Sequence, residues 1–175
     1  MSSVPDAWNK QVEYTWREFF NPPASIPHIG IVKLGRKLEE KYGREKAFEI
    51  LDEVSADLTE ESIVQLVGDR QVESFKDALE AFSNMVALPE FKIAHETEVV
   101  ELTESKRVVN VKKCIWSDAF RGMDAGDIGF IWACKQDYVL ASTISPKFKL
   151  HRTKTLMQGH DCCIFSWYWE EDKDA

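Results

Sequence analysis

The sequence predicts an α+β fold, in which N-terminal helices pack against a small antiparallel β-sheet made of two hairpins separated by helices. Three observations support this. Apolar residues recur at helical spacing up to Pro89, two strand-turn-strand patterns follow, and a nearly continuous apolar segment lies between them. The length of 175 residues suits a single domain. We expect a mainly helical half at 1–88, a half with the sheet and two helices at 89–170, and a charged tail at 171–175.

Four apolar stripes predict the helices of the first half. Pro22 and Pro23 cannot continue the first helix, Gly43 is expected to cap the second, and Ser74 with Asp77 resembles a capping box at the start of the fourth. The stripes are Trp8, Val12, Trp16 and Phe19 or Phe20, then Ile31, Leu34, Leu38 and Tyr42, then Ala47, Ile50, Leu51, Val54 and Leu58, and finally Phe75, Leu79, Phe82 and Val86. No catalytic motif is found in this half.

Strand-forming patterns dominate the second half. Residues 96–102 and 107–112 flank a polar turn and predict the first hairpin. Residues 147–156 and 163–169 predict the second, because the polar segment 158–161 between them has the turn chemistry of a hairpin.

Two helices are predicted between the hairpins. The first spans 114–120, followed by a loop at 122–126. Asp127 can cap the second helix, which spans 128–140 and is apolar on nearly all sides, so it is expected to be buried. Pro146 ends this helical segment.

The composition excludes several classes of function. The net charge of -8 and the pI near 5.1 argue against a nucleic-acid partner. The first residues lack the features of a signal peptide, and no apolar run approaches the roughly 18 residues of a membrane helix. We therefore expect a cytoplasmic protein with no membrane partner and reduced cysteines. The chain has no phosphate-binding glycine loop, G-x-S-x-G turn or H-E-x-x-H motif.

Cysteines and carboxylates form the first candidate site. On helices, Cys134 and Asp137 would share a face, as would Cys114 and Asp118. Cys163 begins the closing strand, so three thiols could meet from three elements. The alternative is that these cysteines only pack as small hydrophobic residues.

Basic residues on the second hairpin form the other candidate group. Arg152 and Lys154 alternate with threonines, so both cations would point to one face of the strand and could bind a substrate carboxylate. A solvated strand face is the alternative. His160 in the turn could move protons near neutral pH or simply be solvated. No metal or other cofactor is expected, because the chain has no C-x-x-C pair.

Three blocks in the C-terminal third carry a family resemblance. They read C-I-W-S-D-A-F from Cys114, G-D-I-G-F-I-W-A-C-x-x-D from Gly126, and S-P-K-F-K-L-x-R-T-K-T-L-M-Q-G from Ser145, with Cys163 following. In this order they resemble the L-2-amino-thiazoline-4-carboxylic acid hydrolase family. The resemblance implies functional roles for Cys114, Cys134, Asp137 and Cys163, which fall on motif positions. A weaker similarity to 4-vinyl-reductase-like domains implies no zinc, because Arg152 and Thr155 stand where that site would need ligands.

The resemblance implies a hydrolase that acts on a carbon-nitrogen bond of a small cyclic amidine or isothiourea, such as 2-aminothiazoline-4-carboxylate, and gives a carbamoyl-cysteine-type product. Cys114 or Cys163 would be the nucleophile, Asp137 the base or orienting group, and Arg152 or Lys154 the carboxylate-binding cation. Direct attack by water assisted by Asp137 is the alternative mechanism. The alternative function is a small-molecule-binding module of the 4-vinyl-reductase-like kind that does not turn its ligand over. A homodimer through the N-terminal aromatic residues is a candidate assembly.

Overall fold

The computed structural model describes residues 26–86 and 94–171. The predicted stripe from Trp8 to Phe20 lies outside the described residues. The helices are α1 (Ile26–Tyr42), α2 (Arg44–Val67), α3 (Phe75–Val86), α4 (Ile115–Gly122), α5 (Gly126–Gly129) and α6 (Gln136–Ile144). The strands are β1 (His95–Leu102), β2 (Lys106–Cys114), β3 (Phe148–Arg152) and β4 (Cys163–Trp169). A π-helical turn spans Phe130–Cys134 and a 3₁₀ turn spans Leu156–Gln158.

The predicted α+β class is confirmed. The four strands form one antiparallel sheet in the order β1-β2-β4-β3, with the helices α4 to α6 between the two hairpins in sequence. Because β2 and β3 both run antiparallel to β4, the ends of β2 and β3 lie beside the start of β4. Cys114, Arg152 and Cys163 are thereby brought to one end of the sheet. Within the described part of the chain, no helix has the length and apolar character to cross a bilayer.

Local signals set the helix ends of the first half. Gly43 has a left-handed φ of 81° and its N–H donates to the Glu39 carbonyl, which ends α1 as predicted. The Ser74 hydroxyl oxygen accepts from the Asp77 amide at 3.2 Å and caps α3. The third stripe is only partly buried, since Ala47 and Leu51 are covered but Val54 and Leu58 are exposed.

The segments around the second hairpin depart from the predictions. Cys114 is the last residue of β2 and does not belong to a helix, so it does not share a helical face with Asp118. Strand β3 ends at Arg152, and a connection of ten residues with a 3₁₀ turn leads to β4. The alternation that would place Lys154 beside Arg152 therefore does not occur.

The predicted helix at 128–140 is divided. Helix α5 starts at Gly126 with Ala125 in the capping position, so Asp127 is not its cap. A π-helical turn follows, and α6 begins only at Gln136. The segment was expected to be buried on most sides, but the residues of the π-helical turn are only partly buried.

Two apolar clusters hold these elements together. One joins α3 and α6 to the sheet, and its largest members are Phe75, Phe148 and Trp167. The other joins α2, α4 and α5 to the 3₁₀ turn through Leu51, Phe120, Ile128 and Met157. The second cluster fixes the helical segment from which the site is built.

Gly129 is expected to be intolerant of alanine. A Cβ there would lie 2.5 Å from Phe120 Cγ and 2.7 Å from the Met157 sulfur. Both neighbours are buried, so the Gly129→Ala variant should lose about 1–3 kcal/mol of unfolding free energy in urea titration. Gly30→Ala is the matched control, because Gly30 lies in helix α1 and an added Cβ would have no atom of the described residues within 4 Å; the substitution should gain up to about 1 kcal/mol. Equal effects of the two substitutions would contradict the close packing at Gly129.

Candidate active site

The centre of the candidate site is a buried ion pair between β3 and α6. Arg152 donates through Nη1 to Asp137 Oδ2 at 2.5 Å. The Arg152 side chain is only 1% exposed, whereas that of Asp137 is 31% exposed. The carboxylate thus has access to solvent, while its cation does not.

Three aromatic rings surround the guanidinium group. The Arg152 Cζ atom lies 5.1 Å from the ring centres of Tyr138 and Phe165 and 5.9 Å from that of Phe130. Phe165 is the direct partner of Arg152 across the strand pair. Stacking on aromatic faces makes a buried arginine tolerable, because the ring electrons attract the cation.

The π-helical turn supplies a further partner for Arg152. The Lys135 amide donates to the Phe130 carbonyl five residues back, and the Tyr138 amide donates to the Lys135 carbonyl. In a regular α-helix the Tyr138 amide would instead occupy the Cys134 carbonyl. That carbonyl is therefore available, and it accepts from Arg152 Nη2 at 2.6 Å. Such π-helical turns frequently occur at functional sites.

Helix α2 holds this turn in place. Lys135 forms an ion pair with Asp52. Gln136 Nε2 donates to Ser55 Oγ at 2.6 Å and to the Ile131 carbonyl at 3.0 Å. These contacts join the candidate site to a helix about eighty residues earlier in the chain.

The carboxyl pKa of Asp137 is raised to about 6. Loss of hydration on burial is the main cause, and the attraction of Arg152 opposes it without cancelling it. For Arg152 itself, burial is the largest single effect and lowers the pKa, but the charge of Asp137, the hydrogen bond to Asp137 and the nearby Cys134 and Tyr138 together give a net rise. At neutral pH the carboxyl is therefore ionised and able to accept a proton near pH 6.

The three predicted thiols lie close enough to Asp137 to interact with it. Burial raises the pKa of Cys114 to about 12, and the charges of Cys163 and Asp137 add to the rise. Burial and Asp137 also raise the pKa of Cys134. Burial raises the pKa of Cys163, whose sulfur accepts from the Leu156 amide at 3.2 Å. All three therefore favour the protonated thiol.

The structure does not bring the other predicted site residues to this cluster. Lys154 is 42% exposed and forms an ion pair with Asp161 at 3.0 Å. Nδ1 of exposed His160 lies 3.0 Å from the Thr155 carbonyl oxygen, so the ring stabilises the turn before β4. Arg152 is at the centre of the cluster, but a substrate carboxylate could reach its guanidinium group only by displacing a partner.

Metal binding was not expected from the sequence. Among residues 26–86 and 94–171, no three His, Cys, Asp or Glu side chains are grouped closely enough to hold a metal ion. The three thiols and Asp137 therefore do not form a chelating set in the described structure.

Sequence reasoning missed the rings of Phe130 and Tyr138 around Arg152. Tyr138 follows Asp137 directly, and Phe130 opens the π-helical turn, but helical periodicity does not indicate which aromatic residues meet a strand arginine. It also missed a solvent-open cavity of about 660 Å³ beside Phe130, lined partly by Arg121 and Asp124. None of the predicted site residues lines that cavity.

Comparison with known proteins supplies the remaining observation. No curated protein matches the chain. The model of the family described as L-2-amino-thiazoline-4-carboxylic acid hydrolase matches residues 27–167. This range includes the Arg152–Asp137 pair and all three interacting thiols. Since the match covers most of the sequence, the chain belongs to the L-2-amino-thiazoline-4-carboxylic acid hydrolase family.

Proposed function

We propose that this protein hydrolyses a small cyclic amidine or isothiourea such as 2-aminothiazoline-4-carboxylate by adding water to its non-peptide carbon–nitrogen double bond, with Asp137 as the general base. The observation that carries the proposal is the partly exposed Asp137 carboxyl, whose pKa is raised to about 6 and whose Oδ2 is held by Arg152. A base with a pKa slightly below the working pH is suited to proton transfer. The family name supplies the class of substrate.

Water is the attacking group in this mechanism. Asp137 takes a proton from water as the water oxygen bonds to the carbon that carries both nitrogens and the sulfur. The C=N bond opens and its nitrogen takes up a proton. Collapse of the tetrahedral carbon then breaks the carbon–sulfur bond, and the sulfur receives the second proton. One water is consumed, and the product is N-carbamoyl-cysteine.

Arg152 acts in this proposal as a positioning residue. It engages Asp137 Oδ2 through Nη1 and the Cys134 carbonyl through Nη2, so the second carboxylate oxygen can face the water. A charged and rigid partner also limits the rise in the Asp137 pKa. Without that partner, the base would be protonated over more of the physiological range.

Protonated thiols favour this route over covalent catalysis. A cysteine nucleophile reacts as the thiolate, and burial opposes thiolate formation at Cys114, Cys134 and Cys163. In the proposed mechanism, the thiols shape the surroundings of Asp137 and carry no charge.

The Cys163→Ser variant separates the two routes. With water as the attacking group, the variant should retain kcat within about tenfold of wild type, because the hydroxyl preserves the size of the side chain. A covalent route through Cys163 predicts near-complete loss. Cys162→Ser is the matched control, because Cys162 is adjacent but outside the family blocks.

Mass spectrometry of purified protein with L-2-aminothiazoline-4-carboxylate measures the reaction as gain of one water. Turnover by wild type and by Cys163→Ser is the expected result. Absence of turnover by folded wild type, tested also on other cyclic amidines, would contradict the proposed function. Binding without turnover would instead favour the non-catalytic ligand-binding alternative.

A further inference from the structure

A solvent-open cavity of about 660 Å³ lies beside the π-helical turn and is lined by Phe130, whose ring also lies near Arg152 of the candidate active site. Its walls come from α2, α4 and α5, the π-helical turn and the 3₁₀ turn. The volume lies within the range of small-molecule sites. The cavity is lined by neither Asp137 nor any cysteine, so binding there requires no catalytic role of Asp137.

Two charged side chains that line this cavity form no ion pair with the described residues. Arg121 makes one hydrogen bond, to the Leu156 carbonyl at 3.3 Å, and it has no ion pair with any carboxylate of the described residues. The Asp124 carboxylate has no hydrogen bond or ion pair within residues 26–86 and 94–171. Asp127, the third charged lining residue, is occupied by Arg36 and Arg44. The cavity therefore offers one available cation and one available anion.

The backbone holds these two side chains on one rim. The Asp124 amide donates to the Arg121 carbonyl at 3.0 Å, which closes a tight turn between them. Asp124 adopts a left-handed φ of 51°, and its carbonyl accepts from Arg36 Nη2 at 3.2 Å. Aspartate adopts this conformation more readily than most non-glycine residues, and the contact with Arg36 fixes the turn.

Apolar side chains form the rest of the wall. Phe130, Ile131 and Met157 line the cavity next to the charged rim. A matching ligand would carry a carboxylate for Arg121, a cationic nitrogen for Asp124 and a small apolar ring for these side chains.

We propose that this cavity binds a small zwitterion of the amino-acid type, with Arg121 holding its carboxylate and Asp124 its cationic nitrogen. The site is distinct from the Asp137 cluster. It shares only Phe130 with that cluster, since the same ring contacts the guanidinium group of Arg152. L-2-Aminothiazoline-4-carboxylate carries both charges and is therefore a suitable probe, whether or not it is hydrolysed.

Titration calorimetry with two probes tests the assignment of each charge. L-2-Aminothiazoline-4-carboxylate carries the carboxylate, and 2-aminothiazoline lacks it. The Arg121→Gln variant should bind the first probe roughly tenfold or more weakly and leave affinity for the second unchanged. Asp124→Asn should weaken the binding of both probes. Asparagine also adopts the left-handed backbone conformation of Asp124 readily, so the turn should be preserved. Arg70→Gln is the control, because Arg70 is exposed and does not line the cavity.

The Asp137→Asn background separates this site from the proposed reaction. Loss of turnover in that background with retained probe affinity is the expected result. Unchanged affinity in Arg121→Gln, absence of binding by wild type at millimolar probe, or loss of binding in Asp137→Asn alone would each overturn the site. If Arg121→Gln does not fold, Arg121→Lys and Asp124→Asn decide the question. Failure of turnover by wild type bears only on the proposed function.

Discussion

Replacing Asp137 by asparagine is expected to lower kcat for hydrolysis of the cyclic amidine by about 10²–10⁴-fold. The amide has nearly the same shape as the carboxylate but cannot accept the proton from water. The pH profile should change as well. In wild type, activity should fall as the pH falls through about 6, where Asp137 becomes protonated. Residual activity of the variant should lack this dependence.

Stability measurements on the same variant check the pKa independently. The folded pKa of Asp137 is near 6 and its ordinary value is 3.8, so between these values the folded state binds more protons than the unfolded state. Wild type should therefore lose stability as the pH rises from about 4 to about 6, and this component should be absent from Asp137→Asn. Asp57→Asn, an exposed position on α2, is the control for both experiments. Wild-type kcat in Asp137→Asn would exclude this residue as the base.

Replacing Arg152 by methionine is expected to reduce the unfolding free energy by about 3 kcal/mol, the lower end for a broken buried pair. The substitution leaves Asp137 without its cation and the Cys134 carbonyl without its donor. The cost stays near this lower end because the Asp137 side chain is 31% exposed and can gain water. Urea titration of the two proteins measures the difference.

Three comparisons make the Arg152 experiment specific. Lys154→Met should have little effect on stability, because its ion pair with Asp161 is exposed to solvent. Adding Asp137→Asn to Arg152→Met should recover part of the loss, since no unpaired charge is then buried. In Arg152→Met alone, the acidic limb of the activity profile should move to higher pH, because the guanidinium group no longer favours ionised Asp137. If the acidic limb of the activity profile does not move in this variant, Arg152 has only a structural role.

The sequence by itself determined much of the local structure. Gly43 and Ser74 act at helix ends as predicted, and the closing strand spans 163–169 as predicted. The class of fold and the family also follow from patterns of neighbouring residues. These features depend on backbone preferences and on hydrogen bonds within a few residues, which sequence patterns express directly.

Only the tertiary structure determines which partners the polar residues contact. Periodicity placed Arg152 and Lys154 on one strand face, yet the strand ends at Arg152, which is buried against Asp137 and three aromatic rings, whereas Lys154 is exposed. The π-helical turn that supplies the Cys134 carbonyl is held by contacts from Lys135 and Gln136 to α2, about eighty residues away. Burial, ion pairing and carboxyl pKa depend on which distant segments come together. The spacing of residues along the chain does not indicate those contacts directly.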